Sequence, residues 1–183
     1  MIIIISVGVG FSWTFMEKTV EKILHPIEYE EYVDRFSEEY GVPKEIIYAI
    51  IKCESSFKAD AKSAQGAVGL MQMMPETFED LSRRLGREYN ESMLYDPKVS
   101  IEFGTYYLGY LYSSYGVWEN VYAAYNAGYG RVDKWLEDPD ISTDGRLVNI
   151  PYEETRKYVE KVSDARRTYS KLLEESHKAS DEK

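Results

Sequence analysis

The chain has 183 residues, 44% of them hydrophobic and 14% aromatic, which suffices for one domain with a full core and excludes a disordered polymer. Its formal charge of −10 argues against nucleic acid, whose phosphates it would repel, and against an anionic membrane surface as the main partner. The single cysteine, Cys53, cannot close an internal disulfide, and without a Cys or His cluster the sequence offers no metal site and calls for no cofactor.

Residues 1–16 carry no charge and open with four isoleucines, Ile2 to Ile5. A spanning helix wants about 20 apolar residues, and a signal peptide wants a basic leader and a small-residue cleavage site. No Lys or Arg precedes the run, and the small-x-small candidate Gly8-Val9-Gly10 would leave a very short apolar core. We expect residues 1–27 to form an uncleaved anchor or signal-like segment with a linker, broken at His25-Pro26, and the alternative is a buried strand or helix of the domain.

Beyond that segment the chain reads as helices throughout. Tyr29, Tyr32, Val33 and Phe36 recur at helical spacing between Glu28 and Tyr40, with Gly41 as a stop. Pro43 starts a second helix, and Pro75 a third that ends near Gly86. Asp96-Pro97 is a cap and first-turn pair for a long helix through Ile101, Leu108, Leu111 and Tyr115, closed by Gly116. Val117 to Ala127 and a short segment around Val132 and Trp135 come next, then Pro151 to about Glu174, while residues 176–183 read as a charged, flexible tail. No segment has the period-two pattern of a sizeable sheet, although the Asp138–Asn149 loop has the composition to pair briefly.

Glu54 stands out within the second helix because Ile46, Ile50 and Glu54 are four residues apart, with Ile47 and Ile51 alongside. A carboxyl in line with an apolar stripe loses water, which disfavours its charge and lifts its pKa from about 4.3 toward the roughly 6–7 that suits a general acid. Such a group is either hydrogen-bonded structurally or used chemically. Cys53 beside it reads as a small core residue.

Five stretches in this order extend the pattern: Glu54-Ser55-Ser56-Phe57, the loop Lys62-Ser63-Ala64-Gln65-Gly66-Ala67, Gly69-Leu70-Met71-Gln72-Met73-Met74-Pro75, Ala123-Ala124-Tyr125-Asn126-Ala127-Gly128, and Ile150 to Val159 with Glu154-Thr155 and Tyr158. Together they resemble the soluble lytic transglycosylase type of cell-wall enzyme, a branch of the lysozyme-like superfamily, from about Tyr29 to Leu173. The chain departs from that pattern at Lys58-Ala59, where the family often has Asn-Pro. The resemblance implies an all-α, lysozyme-like catalytic domain over residues 28–175, lying outside the cytoplasmic membrane in the cell envelope and acting on peptidoglycan glycan strands.

Cutting a glycosidic bond requires a proton for the leaving oxygen and something to capture the anomeric carbon. Glu54 supplies the first. The acids nearest in sequence, Asp60, Glu76, Glu79 and Asp80, read as loop or solvated helix face, so the site has one carboxylate and the substrate must provide the nucleophile. The resemblance implies cleavage between N-acetylmuramic acid and N-acetylglucosamine, with the C6 hydroxyl closing a 1,6-anhydro ring as Glu54 turns from acid to base. Hydrolysis by a positioned water and a non-catalytic glycan-binding protein are the alternatives.

Laid on the family's pattern, Ser63 is the serine that orients the N-acetyl group, or else an ordinary loop hydroxyl. Gln72 contacts the glycan through both faces of its amide. Met74 is the methionine chosen to line the groove, whereas a neighbour among Met71 and Met73 belongs to the core. Tyr125 and Asn126 meet the substrate, and the Tyr158 hydroxyl reaches the catalytic carboxyl or the acetamido group. Ser55 braces the turn, and Phe57 anchors the core.

Overall fold

The computed structural model describes Val20, residues 23–88 and residues 90–181, so the expected amino-terminal anchor lies outside the described residues. Among the described residues no helix is long and apolar enough to cross a membrane.

Local chemistry sets most boundaries. Helix α1 spans Glu30–Tyr40 and stops at Gly41, whose φ of 67° lets its N–H turn back to the Ser37 carbonyl. Helix α2 spans Lys44–Glu54, with Pro43 just outside as its cap rather than as its first residue. Helix α3, Pro75–Arg84, does begin on its proline, whose missing N–H costs nothing there. A 3₁₀ turn, Glu91–Tyr95, leads into α4, Pro97–Tyr115, where the Asp96 carboxylate accepts from the Lys98 and Val99 amides and Gly116 ends the helix in the left-handed region. Helices α5, Trp118–Ala127, and α6, Tyr129–Leu136, come directly after it.

Two short strands, β1 (Ser142–Thr143) and β2 (Arg146–Leu147), pair antiparallel around Asp144-Gly145, both at positive φ, as a two-residue hairpin turn requires. Buried Asn120 locks this hairpin to α5, donating to the Gly145 carbonyl at 2.7 Å and accepting from the Leu147 amide at 3.1 Å. Helix α7, Glu153–Asp181, continues past the Glu174 at which the sequence pattern ends it. Its apolar stripe, Val159, Val162, Ala165, Tyr169 and Leu172, keeps helical spacing against the core, and the charged residues beyond extend the same helix.

The core divides into two clusters. The larger draws Val33 and Phe36 from α1, Ile46, Ile47, Ile50 and Ile51 from α2, Leu108 from α4, Val121 from α5 and the α7 stripe. Each of the four isoleucines is fully buried and contributes roughly 1.5–3 kcal/mol. The smaller joins Val68, Met73, Phe78, Leu81, Leu94 and Phe103, with the Phe78 and Phe103 rings edge to face at 4.6 Å. Ion pairs at the surface, such as Lys157 with Glu153, add little.

Candidate active site

Glu54 is the last residue of α2, and the chain turns sharply at Ser55, Ser56 and Phe57. Ser55 and Ser56 return their amides to the Ile51 and Lys52 carbonyls, and Ser56 and Phe57 both take left-handed backbone angles, φ 52° and 66°. Two such residues in a row, neither of them glycine, carry strain that burial elsewhere must offset. The buried Phe57 ring, 6.4 Å from that of Tyr48, supplies it, and Ser55 is buried with its hydroxyl on the Ile51 carbonyl, in keeping with the roles expected of both residues.

Helix α7 packs along α2 and brings Tyr158 to Glu54 across 104 positions of sequence. The Tyr158 hydroxyl donates to Glu54 Oε1 at 2.5 Å. Burial pushes the half-buried Glu54 carboxyl up to about 7, against the opposing pull of the Tyr158 hydroxyl and the Lys161 ammonium. Neither of those partners is a carboxylate. Asp60, Glu76, Glu79 and Asp80 lie at or near the surface, and Glu79 and Asp80 pair with Arg83. Burial, reinforced by the nearby Glu54 charge, holds the Tyr158 phenol well above its ordinary value, so it remains a donor. Cys53 packs against the core with its thiol pushed up to about 11 by burial, which makes it a poor nucleophile.

The second wall is a loop. Val68 and Met73 exchange both backbone hydrogen bonds at 3.0 Å, Gly69 donates to the Ala61 carbonyl, and the Met71 amide donates to Ser100 Oγ on α4. Gly69 has φ 81°, and a Cβ there would stand 2.0 Å from the Leu94 carbonyl oxygen, so no other residue fits. Met71 and Met73 are buried and Met74 is 36% exposed, and Met73 and Met74 both border the cavity beside the loop.

A cavity of about 240 Å³ opens between this loop and α5, lined by Gln72, Met74, Thr77, Tyr107, Tyr125 and Asn126 among others. Four residues singled out from sequence therefore share one cavity. Glu54 lies outside the lining and is coupled to it through Tyr125, whose ionisation is opposed first by burial and then by the Glu54 charge. The Tyr125 hydroxyl is already engaged, donating to the Met71 carbonyl at 2.8 Å and tying α5 to the loop.

Gln72 differs from the sequence expectation in one respect. At φ 46°, its Nε2 donates to the Gly69 and Ala61 carbonyls at 2.9 and 3.2 Å, which commits the donors to the loop and leaves the oxygen as the face able to meet a ligand. Ser63 does not line the cavity; its Oγ accepts from the Ala67 amide at 3.0 Å and retains a proton to donate. Sequence reasoning missed Tyr107, whose ring stacks obliquely on Tyr125 at 5.5 Å, because one tyrosine among 17 carries no local signal. It also missed Thr77, in the first turn of α3.

A mostly helical domain with a half-buried carboxyl at a helix end beside a polar and aromatic cleft defines a lysozyme-like architecture. Residues 31–145 match the transglycosylase SLT domain family, to which the chain belongs. It is 35% identical over 160 residues to the soluble lytic murein transglycosylase of Escherichia coli K12, covering 84% of this chain and 24% of that protein. It is 34% identical to the membrane-bound lytic murein transglycosylase C of Edwardsiella ictaluri, over 79% of this chain and 47% of the relative. An inactive glutamate-to-glutamine mutant of the lytic transglycosylase Slt from Pseudomonas aeruginosa superposes with a TM-score of 0.76 at 35% identity, over 84% of this chain and 25% of that one. The E. coli 70 kDa enzyme, also solved in complex with bulgecin A, gives 0.77 at 32% identity, over 84% of this chain and 26% of that one. The chain thus spans about a quarter to about a half of the length of these relatives.

Proposed function

We propose that residues 28–175 form a lytic transglycosylase domain that cleaves the β-1,4 bond between N-acetylmuramic acid and N-acetylglucosamine in peptidoglycan without water. The observation that carries this reading is the single carboxyl of Glu54, raised to about 7 and held by a tyrosine hydroxyl, with no carboxylate among the described residues acting on it. Tyr158 occupies Oε1, so Oε2 carries the transferable proton. Glu54 gives that proton to the glycosidic oxygen as the bond to the anomeric carbon breaks, and the N-acetyl group steadies the positive centre. The resulting carboxylate accepts the C6 hydroxyl proton while that oxygen closes on the anomeric carbon. The products are a free 4-hydroxyl and a 1,6-anhydromuramyl end, and Glu54 is again protonated.

Burial suits both halves of the cycle, since a pKa near neutrality gives away and takes back a proton with little penalty. Ser63 orients the acetamido group, Gln72 offers its amide oxygen, and Met74, Tyr125 and Asn126 shape the groove. The inactive mutant of the Pseudomonas relative, which replaces one glutamate by glutamine, supports an essential acid. The domain works outside the cytoplasmic membrane, held by residues 1–27, a placement supported by a relative described as membrane-bound. Fractionation of native cells tests that placement, and a soluble cytosolic pool contradicts it.

Mass spectrometry of wall digested by the purified chain tests the chemistry. Anhydro ends support it; reducing ends, heavier by one water, point to a hydrolytic muramidase. Lysis that survives Glu54→Gln discards both.

A further inference from the structure

Besides Tyr158, the Lys161 side chain of α7 also hydrogen-bonds to the end of α2. Lys161 lies three residues on, on the same helix face, and its Nζ donates to the Cys53 carbonyl at 2.8 Å. The last carbonyls of a helix need partners from outside it. Ser55 and Ser56 take those of Ile51 and Lys52, and Lys161 takes the next. That hydrogen bond fixes an ammonium on the peptide group immediately preceding Glu54, in a chain whose net charge is −10. A long, exposed lysine would otherwise sample many rotamers.

We propose that Lys161 is a positioning residue for the reaction assigned to Glu54: pinned on the Cys53 carbonyl, it is the fixed positive charge against which Glu54 gives up and regains its proton. The inference rests on the reading of Glu54 as the acid. Lys161 touches neither the glycan nor the reacting atoms; it acts through the carboxyl beside it.

The groups facing Glu54 come from three directions. Helix α7 presents Tyr158 and Lys161, α5 presents Tyr125, and α2 presents Cys53. Tyr125, Tyr158 and Cys53 are held neutral through the physiological range by burial, so among the described residues Lys161 is the formal charge that acts on the carboxyl, and it acts to favour the ionised form. Burial strengthens the hold of Glu54 on its proton. The ammonium counteracts this and also stabilises the carboxylate during the interval before the C6 hydroxyl returns a proton. Lys161 thereby limits how far burial can go.

Substitution separates this role from a purely structural one. Lys161→Gln keeps an amide donor for the Cys53 carbonyl and removes the charge; Lys161→Arg keeps both; Lys157→Gln, one turn earlier on α7 in an exposed pair with Glu153, removes a charge elsewhere on the helix. The Glu54 carboxyl is titrated by ¹³C NMR in the full chain, assigned by difference from Glu54→Gln, and kcat/KM is followed against pH on the same samples. Removing a cation raises the carboxyl midpoint, so Lys161→Gln moves it upward by about half a pH unit or more. The falling alkaline limb of kcat/KM moves with it, Lys161→Arg restores both, and Lys157→Gln changes neither. An unmoved midpoint in Lys161→Gln overturns the inference, as does a rise that Lys161→Arg fails to reverse. A midpoint that moves while the activity limb stays in place upholds Lys161 and overturns instead the assignment of Glu54 as the acid.

Discussion

The two walls of the site are built in opposite ways. Glu54 and Tyr158 project from helices packed on the larger hydrophobic cluster, where position is set by side-chain interdigitation over many turns. Gln72 and Met74 sit on a loop fastened to the smaller cluster by backbone hydrogen bonds and by a glycine with no room for a methyl group. The helical wall can dry a carboxyl and tune its proton affinity; the loop wall supplies shape and hydrogen-bonding edges. In the proposed reading the acid belongs to the helical wall, and recognition is shared between the loop and Tyr125 and Asn126 of α5.

The strongest way to break that division is Glu54→Gln, which keeps shape on the helical wall. Loss of the acid should lower kcat/KM by about 10²–10⁴-fold while the chain still unfolds cooperatively from a native fold. On the loop wall the corresponding change is Gly69→Ala. A Cβ at 2.0 Å from the Leu94 carbonyl and at positive φ should cost about 2–4 kcal/mol in denaturant unfolding. A loop that absorbs the methyl group without loss contradicts so tight a fastening.

Tyr158→Phe sharpens the comparison. It removes one hydrogen bond and keeps the ring, so activity should fall about 5–30-fold. Because the hydroxyl favours the ionised carboxyl, its loss should also move the Glu54 midpoint above about 7. The smallest effect is on stability. Glu54 is raised from its ordinary 4.5 to about 7, so the folded chain binds that proton more tightly than the unfolded chain. The resulting stabilisation is full below about 4.5 and is lost as pH climbs through about 7. The Tm of the wild type relative to Glu54→Gln should fall between about pH 5 and about pH 8. A constant difference contradicts the raised value.

What the sequence made legible was local. Asp96-Pro97 with Gly116, Pro75 and Gly41 mark helix ends because caps act within a few residues. Ile46 and Ile50 exposed the unusual setting of Glu54 through spacing alone. The composition of the Asp138–Asn149 loop pointed to brief pairing, but strands of two residues are too short to show the period that would place the turn at Asp144-Gly145. The contact between Tyr158 and Glu54 spans 104 positions, so only resemblance to a family named it. Nothing marked Lys161 or Tyr107, since their significance arises from the packing of α7 on α2 and of α4 against α5. The tie of the Gln72 donors to the Gly69 and Ala61 carbonyls was invisible for a similar reason: a left-handed turn at Gln72 decides where its amide points.

One measurement addresses the single-carboxyl site directly: kcat/KM against pH on defined glycan strands. A lone acid that must begin protonated gives a plateau at low pH and one descending ionisation near 7. A bell-shaped profile, with a second ionisation on the acidic side, would reveal another carboxylate at work and contradict the account.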